Sequence, residues 1–148
     1  MNIQDFVNDF NNRMKIESGK EYNLGMLIKD LEQYKDECLL VEFDDGNIPT
    51  NFDSWRGSYC ELSLEYEKKE DSQCDVMDLY RKAFNTNGSM FYGYKGGEFI
   101  MDLDTPIHQA NYGECGVKYD NGDYIEKKII GIKKENNKII ILTRKEED

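Results

Sequence analysis

The sequence predicts an α+β fold: N-terminal helices followed by a mainly antiparallel β-sheet, with one further helix packed on it. Three observations carry that prediction. Apolar residues recur at helical spacing in two early segments, the period then shifts to alternation, and the chain ends in an isoleucine-rich hairpin pattern. A run of strands with few interspersed helices is the signature of an α+β architecture.

The elements follow in order. Ile3, Phe6, Val7, Phe10 and Met14 line one helical face, with Asn2 placed as its cap, which predicts a helix over Ile3–Met14. After the turn-like Glu17-Ser18-Gly19-Lys20, Asn23 caps a second helix over Leu24–Tyr34, whose stripe is Leu24, Leu27, Ile28, Leu31 and Tyr34. Cys38–Phe43 is short, apolar and β-prone, and Asp44-Asp45-Gly46-Asn47 stops it as a turn. A loop holding Pro49 and Ser54-Trp55-Arg56-Gly57 leads to a strand near Tyr59–Glu67. There Leu62, Leu64 and Tyr66 alternate with Glu61, Ser63 and Glu65, as in a sheet with one buried face.

Beyond the charged loop Lys68–Gln73, the residues Val76, Leu79, Tyr80, Ala83 and Phe84 mark a third helix, ended by Asn85-Thr86-Asn87-Gly88. Lys95-Gly96-Gly97 joins two short strands as a hairpin, and Thr105–Asn111 holds another. Tyr124–Lys134 and Lys138–Thr143 flank a turn at Glu135-Asn136-Asn137. The 148 residues fit a single domain, with 1–22 as an N-terminal helical extension and 23–148 as the α+β core.

Charge narrows the function classes. A net charge of −11 argues against direct nucleic-acid binding and against an anionic membrane surface, both of which need a cationic surplus. Residues 124–145 hold seven cationic side chains against two carboxylates, so the rest of the chain carries −16. The basic stretch reads either as a solvated strand face with lysines blunting an edge or as a functional strip. Met1–Lys15 has none of the features of a secretory signal, and no stretch approaches a membrane span, which implies a cytoplasmic protein. Cys38, Cys60, Cys74 and Cys115 are irregularly spaced, as expected for four reduced thiols with no metal site.

Catalytic candidates are few. His108 is the single histidine, and nothing in the spacing orients it on Cys115. Asp102 with Asp104, or Asp120 with Asp123, lacks the remaining ligands of a calcium loop. No cofactor motif is present, and an enzyme is the weaker reading. Attention falls instead on Phe52–Tyr59, which places the only tryptophan, Arg56 and Gly57 in one loop. An arginine offers a planar donor fork for phosphate or carboxylate, and Trp55 and Tyr59 offer stacking faces. Alternatively, Arg56 pairs with Asp53 and Trp55 seals the sheet end. Tyr94 and Lys95, beside Gly96-Gly97, repeat the combination of aromatic, cation and glycine.

These residues also bring a resemblance. Val41-Glu42-Phe43-Asp44, Pro49-Thr50 and Asp53-Ser54-Trp55-Arg56-Gly57-x-Tyr59 resemble a family of small uncharacterised phage and prophage proteins. Gly93-Tyr94-Lys95-Gly96-Gly97-Glu98, Thr105-Pro106, Ala110-Asn111-x-Gly113 and the final hairpin extend the similarity over roughly Leu24 to Thr143. The resemblance implies a phage setting, where accessory proteins of this size often counter host defence. It also implies that the position of His108 is often aromatic.

Two function classes stay open. In the first, the protein sequesters a small nucleotide-derived ligand without turnover, at Trp55, Arg56, Gly57, Tyr59, Tyr94, Lys95 and Asn111. In the second, it is an acidic protein-binding inhibitor or nucleic-acid mimic that masks a host defence protein. The partner is accordingly a nucleotide-like ligand or a host protein, with homo-oligomerisation left open.

Overall fold

A computed structural model of the protein describes residues 22–55, 61–92, 98–100 and 103–146. The expected helix Ile3–Met14 lies outside them.

Asn23 caps helix α1 (Leu24–Glu32), its side-chain oxygen accepting from the Met26 N–H at 2.9 Å. Leu24, Leu27 and Leu31 are completely buried, so the predicted stripe does face the core. The helix ends at Glu32, earlier than the stripe suggested, and residues 33–36 form turns. Helix α2 (Val76–Thr86) is capped by Asp75, which accepts from the Asp78 N–H at 2.7 Å, and it buries Val76, Leu79 and Ala83. Each of the buried leucines and Val76 contributes about 1.5–3 kcal/mol by leaving water.

Six strands make the main sheet: β1 (Leu40–Phe43), β2 (Ile48–Ser54), β3 (Leu62–Glu67), β6 (Ile107–Gln109), β9 (Lys127–Glu135) and β10 (Lys138–Lys145). Two small hairpins lie outside it, β4 (Met90–Tyr92) with β5 (Glu98–Ile100), and β7 (Val117–Lys118) with β8 (Tyr124–Ile125). The sheet order is β1-β10-β9-β6-β3-β2. It is mixed, which corrects the expectation of a mainly antiparallel sheet: β1 runs parallel to β10, and β3 parallel to β6. Alternation in a single strand shows which face is buried but not which strand lies beside it, and here the neighbours are distant in sequence.

The topology forces the sheet to curl. β1 and β2 sit at opposite edges, about 24 Å apart if the sheet were flat. Yet only Asp44–Asn47 connects them, and the Phe43 N–H donates to the Asn47 carbonyl at 2.8 Å. Four residues cannot cross a flat sheet, so the two edges meet at this turn. The junction before α2 covers the seam. Val41 donates to Cys74 and Val76 to Leu39 along β1, while Lys82 of α2 reaches the Thr50 carbonyl of β2 at 3.0 Å. Inside the curl lie Val41, Phe43, Leu62, Leu64, Ile107, Ile129, Ile139 and Ile141, closed off by the buried faces of the helices.

β2 replaces part of the expected loop. Pro49 obscured it, but a proline is tolerated on an outer strand, where its missing N–H breaks no ladder bond. The last hairpin is present with a two-residue turn in which Asn136 (φ 49°) and Asn137 (φ 68°) are both left-handed, a conformation asparagine tolerates and hairpins favour. Its first arm is divided, because Tyr124–Ile125 pairs with β7 before β9 begins at Lys127.

The basic stretch meets carboxylates brought from elsewhere. Lys134 pairs with Glu37 at 2.9 Å, Lys138 with Glu42 at 3.5 Å, Lys127 with Asp45 at 3.5 Å and Lys128 with Glu146 at 3.2 Å. The Lys134–Glu37 pair is exposed and contributes little stability, whereas Lys127 and Asp45 are mostly buried. Together the four pairs cancel much of the local positive charge, which fits the solvated strand face. Among the described residues, no helix is long and apolar enough to cross a membrane.

Candidate functional site

Trp55 leaves the end of β2, and its backbone N–H donates to the Glu61 carbonyl at 3.0 Å, just before β3. The indole stacks on His108 with ring centroids 3.9 Å apart and planes 7° from parallel. Its Nε1–H donates to the Cys115 carbonyl at 2.9 Å. On the other side of that chain segment, the Tyr124 hydroxyl accepts from the backbone N–H groups of Cys115 and Gly116. The Cys115 peptide is therefore held between two aromatic residues. Gly116 has to be glycine here, since a Cβ would stand 2.3 Å from the Ile125 carbonyl oxygen.

Beneath the indole, His108 is 1% exposed and its Nε2 lies 3.0 Å from Glu61 Oε1. With a carboxylate as partner, Nε2 is the nitrogen that donates. That hydrogen bond is the main reason the Glu61 carboxyl is held below the usual range, with Lys128 contributing and burial opposing. Nδ1 is buried without a hydrogen-bond partner among the described residues. An imidazole sealed in this way serves as a support for Trp55. Cys115 adds its carbonyl to the cluster, as the acceptor for the indole N–H.

The expected ligand set is only partly brought into view. Trp55 stands at the start of β3, paired with Glu61. The Asn111 side-chain oxygen accepts from the Tyr66 N–H at 2.9 Å, near the other end of β3. Five strand residues separate these points, about 16 Å, and Asn111 fastens the chain to β3. Arg56, Gly57, Tyr59, Tyr94 and Lys95 lie outside the described residues, as does Cys60. Of the expected free thiols, Cys38, Cys74 and Cys115 are unbridged. Burial pushes the Cys74 thiol up to about 12, which makes it inert at neutral pH.

The chain matches no family model, no curated protein and no solved structure. The site therefore has to be read from its own geometry.

A second buried polar centre was not visible in the sequence. Asp45 Oδ2 accepts from Gln109 Nε2 at 3.0 Å and from the Tyr119 hydroxyl at 2.8 Å, with Lys127 Nζ at 3.5 Å. Its other oxygen accepts from the Asn47 N–H. Burial alone would raise this carboxyl, but the Asn47 N–H, the Tyr119 hydroxyl, Lys127 and Gln109 together hold it below the usual range. Burial and the adjacent carboxylate push Tyr119 upward in turn. Alongside, Asp44 accepts from both the N–H and the hydroxyl of Thr143, each at 2.8 Å. These two aspartates fasten the turn joining the sheet edges to β6, β9 and β10. The sequence placed them in a turn, correctly, but gave no sign of partners 64 to 99 residues away.

Proposed function

We propose that this protein is a phage-encoded accessory protein that counters host defence in the host cytoplasm by sequestering a small nucleotide-derived ligand without turnover. The observation that carries this reading is the support under Trp55. The ring is stacked on His108, its N–H is fixed on Cys115, and His108 is fixed in turn by Glu61. An aromatic side chain ordered before the ligand arrives loses little entropy on binding. In this reading Trp55, with Tyr59 and Tyr94, stacks on the base, while Arg56 and Lys95 hold phosphate and Gly57 lets the loop approach closely. A fully buried histidine suits binding without turnover, because it supplies rigidity and no proton to a substrate.

Native mass spectrometry of the protein purified from infected and uninfected cells tests this. A retained small molecule with the mass of a nucleotide species is the expected result. A second reading, the acidic inhibitor, is favoured by one feature. Asp53, Glu61 and Glu65 lie on one face of β2 and β3, and burial together with Asp53 raises the Glu65 carboxyl. A retained host protein with no small molecule would place that reading first.

A further inference from the structure

Among the described residues, β2 stands last in the sheet order, with β3 as its one ladder neighbour. Which of its backbone groups face outward follows from the ladder. Leu62 donates to the Pro106 carbonyl and Ala110 donates to the Leu64 carbonyl, so Leu62 and Leu64 turn their backbone groups toward β6. Ser63, between them, turns its own toward β2, where its register partner is Asp53. Hydrogen-bonded and non-hydrogen-bonded residues alternate along an antiparallel pair. The backbone N–H and C=O of Phe52 and Ser54, the partners of Leu64 and Leu62, therefore point away from β3. A row of this kind is a template for another strand.

Three side chains interrupt the row. Pro49 has no N–H to offer. The Lys82 ammonium reaches across from α2 and donates to the Thr50 carbonyl at 3.0 Å, with Asp78 at 3.3 Å on its other side. The Ser54 N–H donates to the Asp53 carboxylate at 2.7 Å. Neither hydrogen bond belongs to the ladder with β3. Lysine, proline and charged side chains are also the means by which natural sheets keep their edges from pairing.

We propose that Lys82 and Asp53 guard this edge against a second copy of the chain, and that without them two β2 strands pair antiparallel about a two-fold axis. The geometry selects the occupant. An antiparallel pair of identical strands is self-complementary, so the one edge supplies both halves of the interface. Its centre is Phe52, midway between the guarded groups of Thr50 and Ser54, and there the two copies exchange N–H and C=O groups.

Sedimentation over a concentration series, with hydrogen exchange of the same samples, tests the proposal. The variants are Lys82→Met, Asp53→Ala and the two combined. Lys82→Met keeps the apolar stem in place and removes the ammonium. Each single variant should self-associate roughly tenfold more tightly than wild type, and the double variant more tightly still. Lys82→Met makes the net charge more negative and Asp53→Ala makes it less so, which separates a shared gain from a charge effect. Glu65→Gln removes a carboxylate from the same face without freeing the edge and should match wild type. The amides of Phe52 and Ser54 should slow with concentration in the variants and not in the wild type. If the double variant fails to fold, the single variants decide, since each leaves one guard in place. Folded variants that associate no more than wild type would overturn the proposal. So would association that leaves the Phe52 and Ser54 amides unprotected, or a wild type already paired through β2.

Discussion

His108 and Gln109 are neighbours on β6, yet they serve opposite faces of the curled sheet and two different kinds of site. Gln109 turns inward with Leu64, its register partner, and joins Tyr119 and Lys127 on Asp45. His108 turns outward with Ser63 and carries Trp55. The inward cluster spends its hydrogen bonds on closing the sheet, linking segments that would otherwise drift apart. The outward cluster uses them to hold one ring still at the end of β2. Alternation along three residues is enough to separate a structural hub from a candidate recognition surface. The comparison teaches that buried polar residues have to be assigned by what they hold, since both clusters look alike in burial and charge.

The largest expected effect falls on the inward cluster. Asp45→Ala removes the acceptor shared by Gln109, Tyr119 and Lys127 and leaves the mostly buried Lys127 with the more distant Asp44 at 4.0 Å. The loss of unfolding free energy should be about 3–5 kcal/mol by urea denaturation. Ligand affinity per folded molecule should stay unchanged. A loss below about 1 kcal/mol would show that Asp45 does not close the sheet.

Next comes the peptide clasped between the two aromatics. Gly116→Ala drives a methyl group into the Ile125 carbonyl, and the backbone shift should cost about 1–3 kcal/mol. Because Cys115 then moves, Trp55 fluorescence should change together with stability. An unshifted emission spectrum would mean that the clasp does not position the indole.

The smallest effect is on pH dependence. Asp45 and Glu61 both titrate lower in the folded protein than in the unfolded chain. The unfolded chain therefore binds more protons, and stability rises with pH. What the two carboxylates contribute is fully present above about pH 4–5 and is lost as pH falls through their folded values. Glu61→Gln should flatten this acid limb by less than about 1 kcal/mol. Asp45→Asn should flatten it more. Equal slopes in wild type and Asp45→Asn would contradict the hub.

Helix α1 and its cap, helix α2, the turn at Asp44–Asn47 and the final hairpin were legible because each is written in local spacing. Asn23, the leucine stripe and the paired Asn136-Asn137 need no distant residue to explain them. The strand order was not legible. That β1 lies beside β10 and β6 beside β3 depends on contacts nearly a hundred and more than forty residues apart. Trp55 was found as the unusual residue of its loop, but its supports were not. His108 read as a weak catalytic candidate because a lone histidine carries no signal of what stacks on it. Asn111 was grouped with the ligand set by motif, whereas its side chain answers a backbone N–H of β3.

The outward cluster is proposed to serve binding, and the inward one stability. The most direct measurement is calorimetric titration with a panel of nucleotides, run beside thermal melting, for wild type and Arg56→Ala. Wild type should bind one nucleotide class. Arg56→Ala should lose about ten- to a hundredfold in affinity, equivalent to about 1.5–3 kcal/mol, with its melting temperature shifted by less than about 2 °C. Arg56→Lys should fail similarly, since an ammonium cannot reproduce the planar fork. Unchanged nucleotide binding together with a large fall in melting temperature would contradict the account and turn Arg56 into a structural partner of the sheet end.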